Sequence, residues 1–152
     1  MGERSGKREK IKRAVLWLLF FAYAAVLLRI TAFREGFGTY ELFSGRINTG
    51  LFTNYEHIVR EGRWFSFVYL FFGNIAWFVP WGLFFRAYLA KPAWICVLSG
   101  TLLSLFIEVM QFVFGTGYSE IDDLILNTLG AVAGCILGSI FLSRHSRTDS
   151  GR

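Results

Sequence analysis

Three groups of polar side chains interrupt long apolar runs, and their types allow acid–base, hydrogen-bonding or cation-binding chemistry. Ser104, Glu108 and Gln111 are spaced four and three apart, so a helix would carry them on one face. Gly100 and Gly115 extend that face into a small, polar seam. Ser119, Glu120, Asp122 and Asp123 form an acidic group, and Asn127 follows Asp123 by one helical turn. Asn74 stands alone in a third run, ahead of Phe78-Val-Pro80-Trp-Gly82. A carboxylate such as Glu108 in apolar surroundings must be protonated, paired or facing a watery cavity. It therefore reads either as a proton-transferring group or as a hydrogen-bonded tie between helices. Ser119 with Asp122 also has the spacing of a helix start, where acids favour the positive end of the dipole. Asn74 suits interhelical packing as well as a site, and Pro80 removes a helical hydrogen bond and predicts a bend. No Ser-His-Asp set, Cys-His set, phosphate loop, dinucleotide motif or zinc spacing is present, so no cofactor is expected. Cys96 and Cys135 lie within apolar runs and read as packed thiols.

The elements that must position these groups are long and uncharged. Trp64 to Phe85 and Leu124 to Leu142 hold no Asp, Glu, Lys, Arg or His, Ala93 to Phe114 holds only Glu108, and Ala14 to Phe33 only Arg29. Each is close to the ~20 residues needed to cross a ~30 Å hydrocarbon core. Overall the chain is 54% hydrophobic and 18% charged, against about 25% charged in ordinary domains. Four such stretches in 152 residues leave too little chain to cover them as a soluble core. The fold class predicted is all-α: a polytopic membrane protein with helices at about 14–33, 65–85, 93–114 and 121–142. The domain spans 14–142, flanked by a basic tail 1–13 and a tail 143–152, with an outer segment 34–64 at the membrane interface. The first stretch is longer than a signal-peptide core and reads as a retained helix.

Lys and Arg decide the topology. Eleven lie in the two tails and the short link at Arg86 and Lys91. Five (Arg29, Arg34, Arg46, Arg60 and Arg63) lie on the other side. The positive-inside rule places both termini in the cytoplasm, so the sequence pI of about 9.5 is a topology signal and no nucleic-acid partner is expected. The polar groups then fall on the outer half of the bundle. Glu108 lies six residues from Phe114, about 9 Å below the helix end at 1.5 Å per residue. Gly130, Gly134 and Gly138 form a small-xxx-small stripe. If that stripe packs on the Ser104–Gln111 seam, Asp123 and Asn127 approach Glu108 and Gln111. The stripe equally suits contact between two chains.

Asn74-x3-Phe78-x-Pro80-x-Gly82, Ser104-x3-Glu108-x2-Gln111 and Asp122-Asp123-x3-Asn127-x2-Gly130, with Arg46-Ile-Asn48-Thr-Gly-Leu-Phe52 ahead of them, together resemble the VanZ-like family of bacterial membrane proteins. The resemblance covers about Arg46 to Gly138. It implies a small multi-pass protein of the bacterial cell membrane, in a family whose namesake is associated with resistance to the glycopeptide teicoplanin. Family members commonly carry an Arg shortly before the acidic pair and an Asp three residues after it. Here Gly117 and Glu120 take those places, and Arg46, Arg60 or Arg63 would have to supply a counter-ion from the outer segment.

Three functions are compatible with these features. One is a non-enzymatic envelope protein that limits access of lipoglycopeptides to their target, with lipid-linked envelope precursors or the drug itself as partners. A second is a membrane enzyme on a lipid-linked substrate, with Glu108 as acid or base and Asp122 and Asp123 polarising the substrate or holding Mg²⁺ or Ca²⁺. The third is a small proton-coupled drug transporter built around Glu108, although no internal pseudo-symmetry is visible. The candidate cluster common to all three is Asn74, Pro80, Ser104, Glu108, Gln111, Glu120, Asp122, Asp123 and Asn127, with Gly130, Gly134 and Gly138 packing the helices.

Overall fold

The bilayer leaves apolar segments of this length one backbone solution, the helix, and four helices meet the requirement. A computed structural model describes residues 2–149, with side chains placed for residues 6–143. Its elements are α1 (Gly2–Thr31), β1 (Arg46–Asn48), α2 (Thr53–Arg60), α3 (Trp64–Leu83) with a π-helical turn at Phe84–Tyr88, α4 (Ala93–Phe114), β2 (Tyr118–Glu120) and α5 (Ile121–Asp149). The apolar spans are Gly6–Thr31, Trp64–Tyr88, Ala93–Phe114 and Ile121–Ser143. The chain is an integral membrane protein of four such helices. Their outward faces carry large apolar side chains, Phe65 at 84% exposure and Trp94 at 65% among them, as lipid contact requires.

Two boundaries differ from expectation. The basic segment 1–13 is helical from Gly2 onward, and the segment after 142 continues α5 to Asp149. Lys, Arg and Glu are good helix formers, and they fill the segment ahead of Ala14, so α1 begins well before its apolar stretch. Segment 34–64 is also more ordered than its composition suggests, since it contains β1 and α2. α3 runs through Pro80, whose missing N–H leaves the Ala76 carbonyl without its helical partner. The ladder then widens into the π turn before the Lys91–Pro92 link.

Helices α3 and α5 form the centre of the bundle. Gly130 lies against the Ile75 carbonyl, Gly134 against the Val79 carbonyl and Gly138 against the Arg86 side chain, while Gly82 of α3 faces the Ala131 carbonyl. A Cβ at Gly130, Gly134 or Gly82 would sit within 2.2 Å of a backbone oxygen, so only glycine permits this approach. The stripe therefore packs on α3 and not on the Ser104–Gln111 seam of α4, and it is occupied within the chain. α4 docks on a neighbouring α5 face through Gly100 against Ala131, the Thr101–Thr128 hydroxyl pair at 3.0 Å and Asn127 to Ser104. α1 stands further out. Leu27 and Ala32 join Phe78 and Ile107 in the core, the Tyr23 hydroxyl donates to the Trp77 carbonyl, and Phe20 stacks on Phe84 with ring centroids 3.8 Å apart.

One end of the bundle is closed by a small ribbon. β1 and β2 pair in parallel with Arg46 opposite Tyr118, Ile47 opposite Ser119 and Asn48 opposite Glu120. Two three-residue strands are not stable alone. Here Phe43 and Gly45 donate to the Val113 and Phe112 carbonyls at the end of α4, Asn48 donates to Glu120 at 3.3 Å, and Arg46 lies over the Tyr118 ring at 5.8 Å. α2 folds over the same end, with Tyr55 and Ile58 buried.

Candidate functional site

The polar residues divide into two sets with different surroundings. The first set ties elements together. Glu108 is buried and its Oε2 accepts the backbone N–H of Glu120 at 2.8 Å, which anchors β2 to α4. Asp122, at 1% exposure, accepts the backbone N–H of Phe52 at 2.8 Å. Phe52 has a left-handed backbone, φ 55°, a conformation costly for a bulky residue, and the carboxylate holds that turn ahead of α2. Asn127 donates to the Ser104 hydroxyl at 2.9 Å, joining α5 to α4. Each bond ties two elements that are distant in the chain, so Glu108 and Asp122 act as clips at the ribbon end.

The second set lines a cavity of about 390 Å³ between α1, α3 and the ribbon. Asn74 of α3 donates from Nδ2 to Asp123 Oδ1 and, at 3.3 Å, to the Tyr55 hydroxyl. Tyr55 in turn donates to the same Asp123 oxygen at 3.4 Å. Burial, with Asp123 beside it, pushes the Tyr55 phenol above its ordinary range, so it stays a proton donor to the carboxylate. Glu120 and Gln111 complete the wall. Gln111 donates to the Thr31 carbonyl at 3.4 Å, while its Oε1, buried, has no partner. Across from them is Arg34, whose Nε donates to the Thr116 carbonyl. A positioned cation, two carboxylates, a phenol and two amides can hold a polar group by charge-assisted hydrogen bonds and can exchange protons with it.

Of the residues singled out from sequence, Asn74, Gln111, Glu120 and Asp123 line this cavity, whereas Ser104, Glu108, Asp122 and Asn127 lie outside its lining. Pro80 is also outside and borders an apolar groove further along α1 and α3. Asp122 and Asp123 point to different partners, Phe52 and Asn74 respectively. Among the described residues, no three His, Cys, Asp or Glu side chains gather in metal-binding geometry.

The basic residue that lines this cavity is Arg34, and none of the three expected from the outer segment. Arg60 pairs with Glu56 at 3.2 Å and Arg63 with Glu61 at 2.7 Å, both exposed, and Arg46 bonds Tyr118. Arg34 instead fills the space over Gly117: its Nη2 lies 1.4 Å from where a Cβ would stand. Any side chain at 117 would expel this guanidinium. Tyr55 and Gly73 line the cavity as well, outside the set of residues expected from the sequence. An i, i+3 apolar pair, Tyr55 and Ile58, is the available sign that α2 exists and faces inward.

Fold and site together define a four-helix membrane protein with a polar cavity at the ribbon end, enclosed by α1, α3 and the α4–α5 junction. The family model described as VanZ/LLP1 matches residues 20–142, and the chain belongs to this VanZ-like family. No curated protein and no solved structure matches the chain.

Proposed function

We propose that this VanZ-like protein resides in the bacterial cell membrane with both termini in the cytoplasm, and that its ribbon-end cavity faces the envelope. There it lowers susceptibility to glycopeptide antibiotics such as teicoplanin by engaging a lipid-linked envelope precursor or the lipoglycopeptide. Cytoplasmic termini follow from the eleven Lys and Arg that flank the other end. The resistance link follows from the family and its namesake.

The single observation that carries the reading is the cavity itself. Asn74, Gln111, Glu120, Asp123 and Arg34 face about 390 Å³ of space at the end of four apolar helices. Intramembrane polar groups are costly and mark sites by default. The non-enzymatic reading is preferred to catalysis because Glu108, the strongest acid–base candidate in the sequence, is committed to the Glu120 backbone. The test is expression in a teicoplanin-susceptible strain, comparing wild type with Asn74→Ala and Asp123→Asn at equal protein level. Wild type should raise the inhibitory concentration and both variants should lose that rise. No rise with wild type, in cells shown to contain the protein, would defeat the proposal.

A further inference from the structure

We propose that the cavity is a lateral binding site for a phospholipid whose headgroup pairs its phosphate with a hydrogen-bond donor, as a phosphoethanolamine headgroup does. This deepens the function proposed above, on which it rests for the view that the cavity is the working site.

The cavity mouth lies on the membrane flank of the bundle. Its rim is Ile30 of α1 and Tyr69, Leu70 and Trp77 of α3, all exposed and all within apolar spans. Trp77 is thirteen residues along α3 from Trp64, about 20 Å at 1.5 Å per residue. The opening therefore reaches hydrocarbon depth, where an acyl chain is at home and a free anion is not. Beyond the Tyr23–Trp77 bond, an apolar groove of about 430 Å³ bordered by Leu19, Pro80 and Leu83 continues along the same α1–α3 seam. It offers a track for a chain attached to a headgroup above.

Gly73 is the second observation. It lines the cavity from inside α3, and a Cβ there would meet nothing within 4 Å. Gly82, Gly100, Gly130, Gly134 and Gly138, by contrast, are all pressed against neighbours. A helix glycine is less stable than alanine by roughly 0.5–1 kcal/mol. No packing contact explains Gly73, and what it does is leave volume empty beside Asn74.

The polar lining selects the headgroup. The Thr116 carbonyl holds Arg34 Nε, and among the described residues Arg34 Nη1 and Nη2 have no hydrogen-bond partner, so a planar fork is left for phosphate oxygens. Asp123 and Glu120 on the same cavity accept from ammonium or hydroxyl groups. A bare anion would meet two carboxylates, and a bare cation would meet Arg34. A headgroup carrying both phosphate and donor satisfies each.

Native mass spectrometry of the full chain in nonionic detergent tests this, with dioleoylphosphatidylethanolamine, dioleoylglycerol and soluble phosphoethanolamine as probes. The phospholipid should bind one to one and at least about tenfold more tightly than the diacylglycerol, the scale of one lost charge-assisted contact. Arg34→Ala should weaken it by a similar factor. Because Arg34 also holds Thr116, Gly73→Phe is the second variant; it should melt like wild type and bind no phospholipid. Equal binding of diacylglycerol, or unchanged affinity in Gly73→Phe, would overturn the proposal. Soluble phosphoethanolamine binding as tightly as the lipid would overturn lateral entry. No phospholipid binding by wild type, with its teicoplanin effect intact, defeats this inference alone; lipid binding by wild type without that effect defeats the resistance function alone.

Discussion

Asp123 is held by Asn74 and Tyr55, whereas Asp122, its chain neighbour, is turned to the backbone of Phe52. The two adjacent carboxylates thus have different work, and substitution should separate them. Asp122→Ala leaves the Phe52 N–H without its charged acceptor and should lower stability by about 1–3 kcal/mol, read as an earlier midpoint in detergent thermal unfolding. Asp123→Asn keeps the shape and a hydrogen-bonding oxygen, so it should melt near wild type while weakening ligand binding at the cavity. Equal destabilisation by both would show that the cavity is only packing. The chemical residue types were legible in the sequence because polar groups stand out in apolar helices. Their partition was not, since Asp122 and Asp123 differ only in the direction each side chain takes. Arg34 was hidden for a similar reason: its place over Gly117 depends on a fold that brings residues 83 apart in the chain together.

The helices themselves were readable, and α4 runs over Ala93–Phe114 as its apolar run predicts, because a bilayer allows apolar segments no other structure. The ribbon and α2 were not. Three-residue strands carry no periodic signal, and β1 exists only where β2, some seventy residues later, lies beside it. The glycine stripe announced close packing without naming its partner, which proves to be α3. Two glycines on facing helices should therefore respond oppositely. Gly134→Leu forces a side chain into the Val79 carbonyl and should abolish the folded, detergent-stable protein, as judged by size-exclusion chromatography. Gly73→Ala, with open space around it, should be tolerated and should raise the melting midpoint slightly, by the gain in helix propensity of up to ~1 kcal/mol.

For the whole molecule, charge asymmetry predicts that the ribbon end faces outward. A single cysteine at Thr49, exposed beside β1, should react with a membrane-impermeant maleimide in intact cells, whereas one at Gly6 should react only after lysis. The native Cys96 and Cys135 are buried and give little background. Labelling of Gly6→Cys in intact cells would invert the orientation. The most direct check on the cavity as the working part of this VanZ-like protein is a teicoplanin inhibitory concentration. It compares a susceptible bacterium carrying wild type, Gly73→Phe at equal membrane level, or empty vector. Filling the cavity should return susceptibility to that of the vector; protection by Gly73→Phe equal to wild type would contradict a role for the cavity.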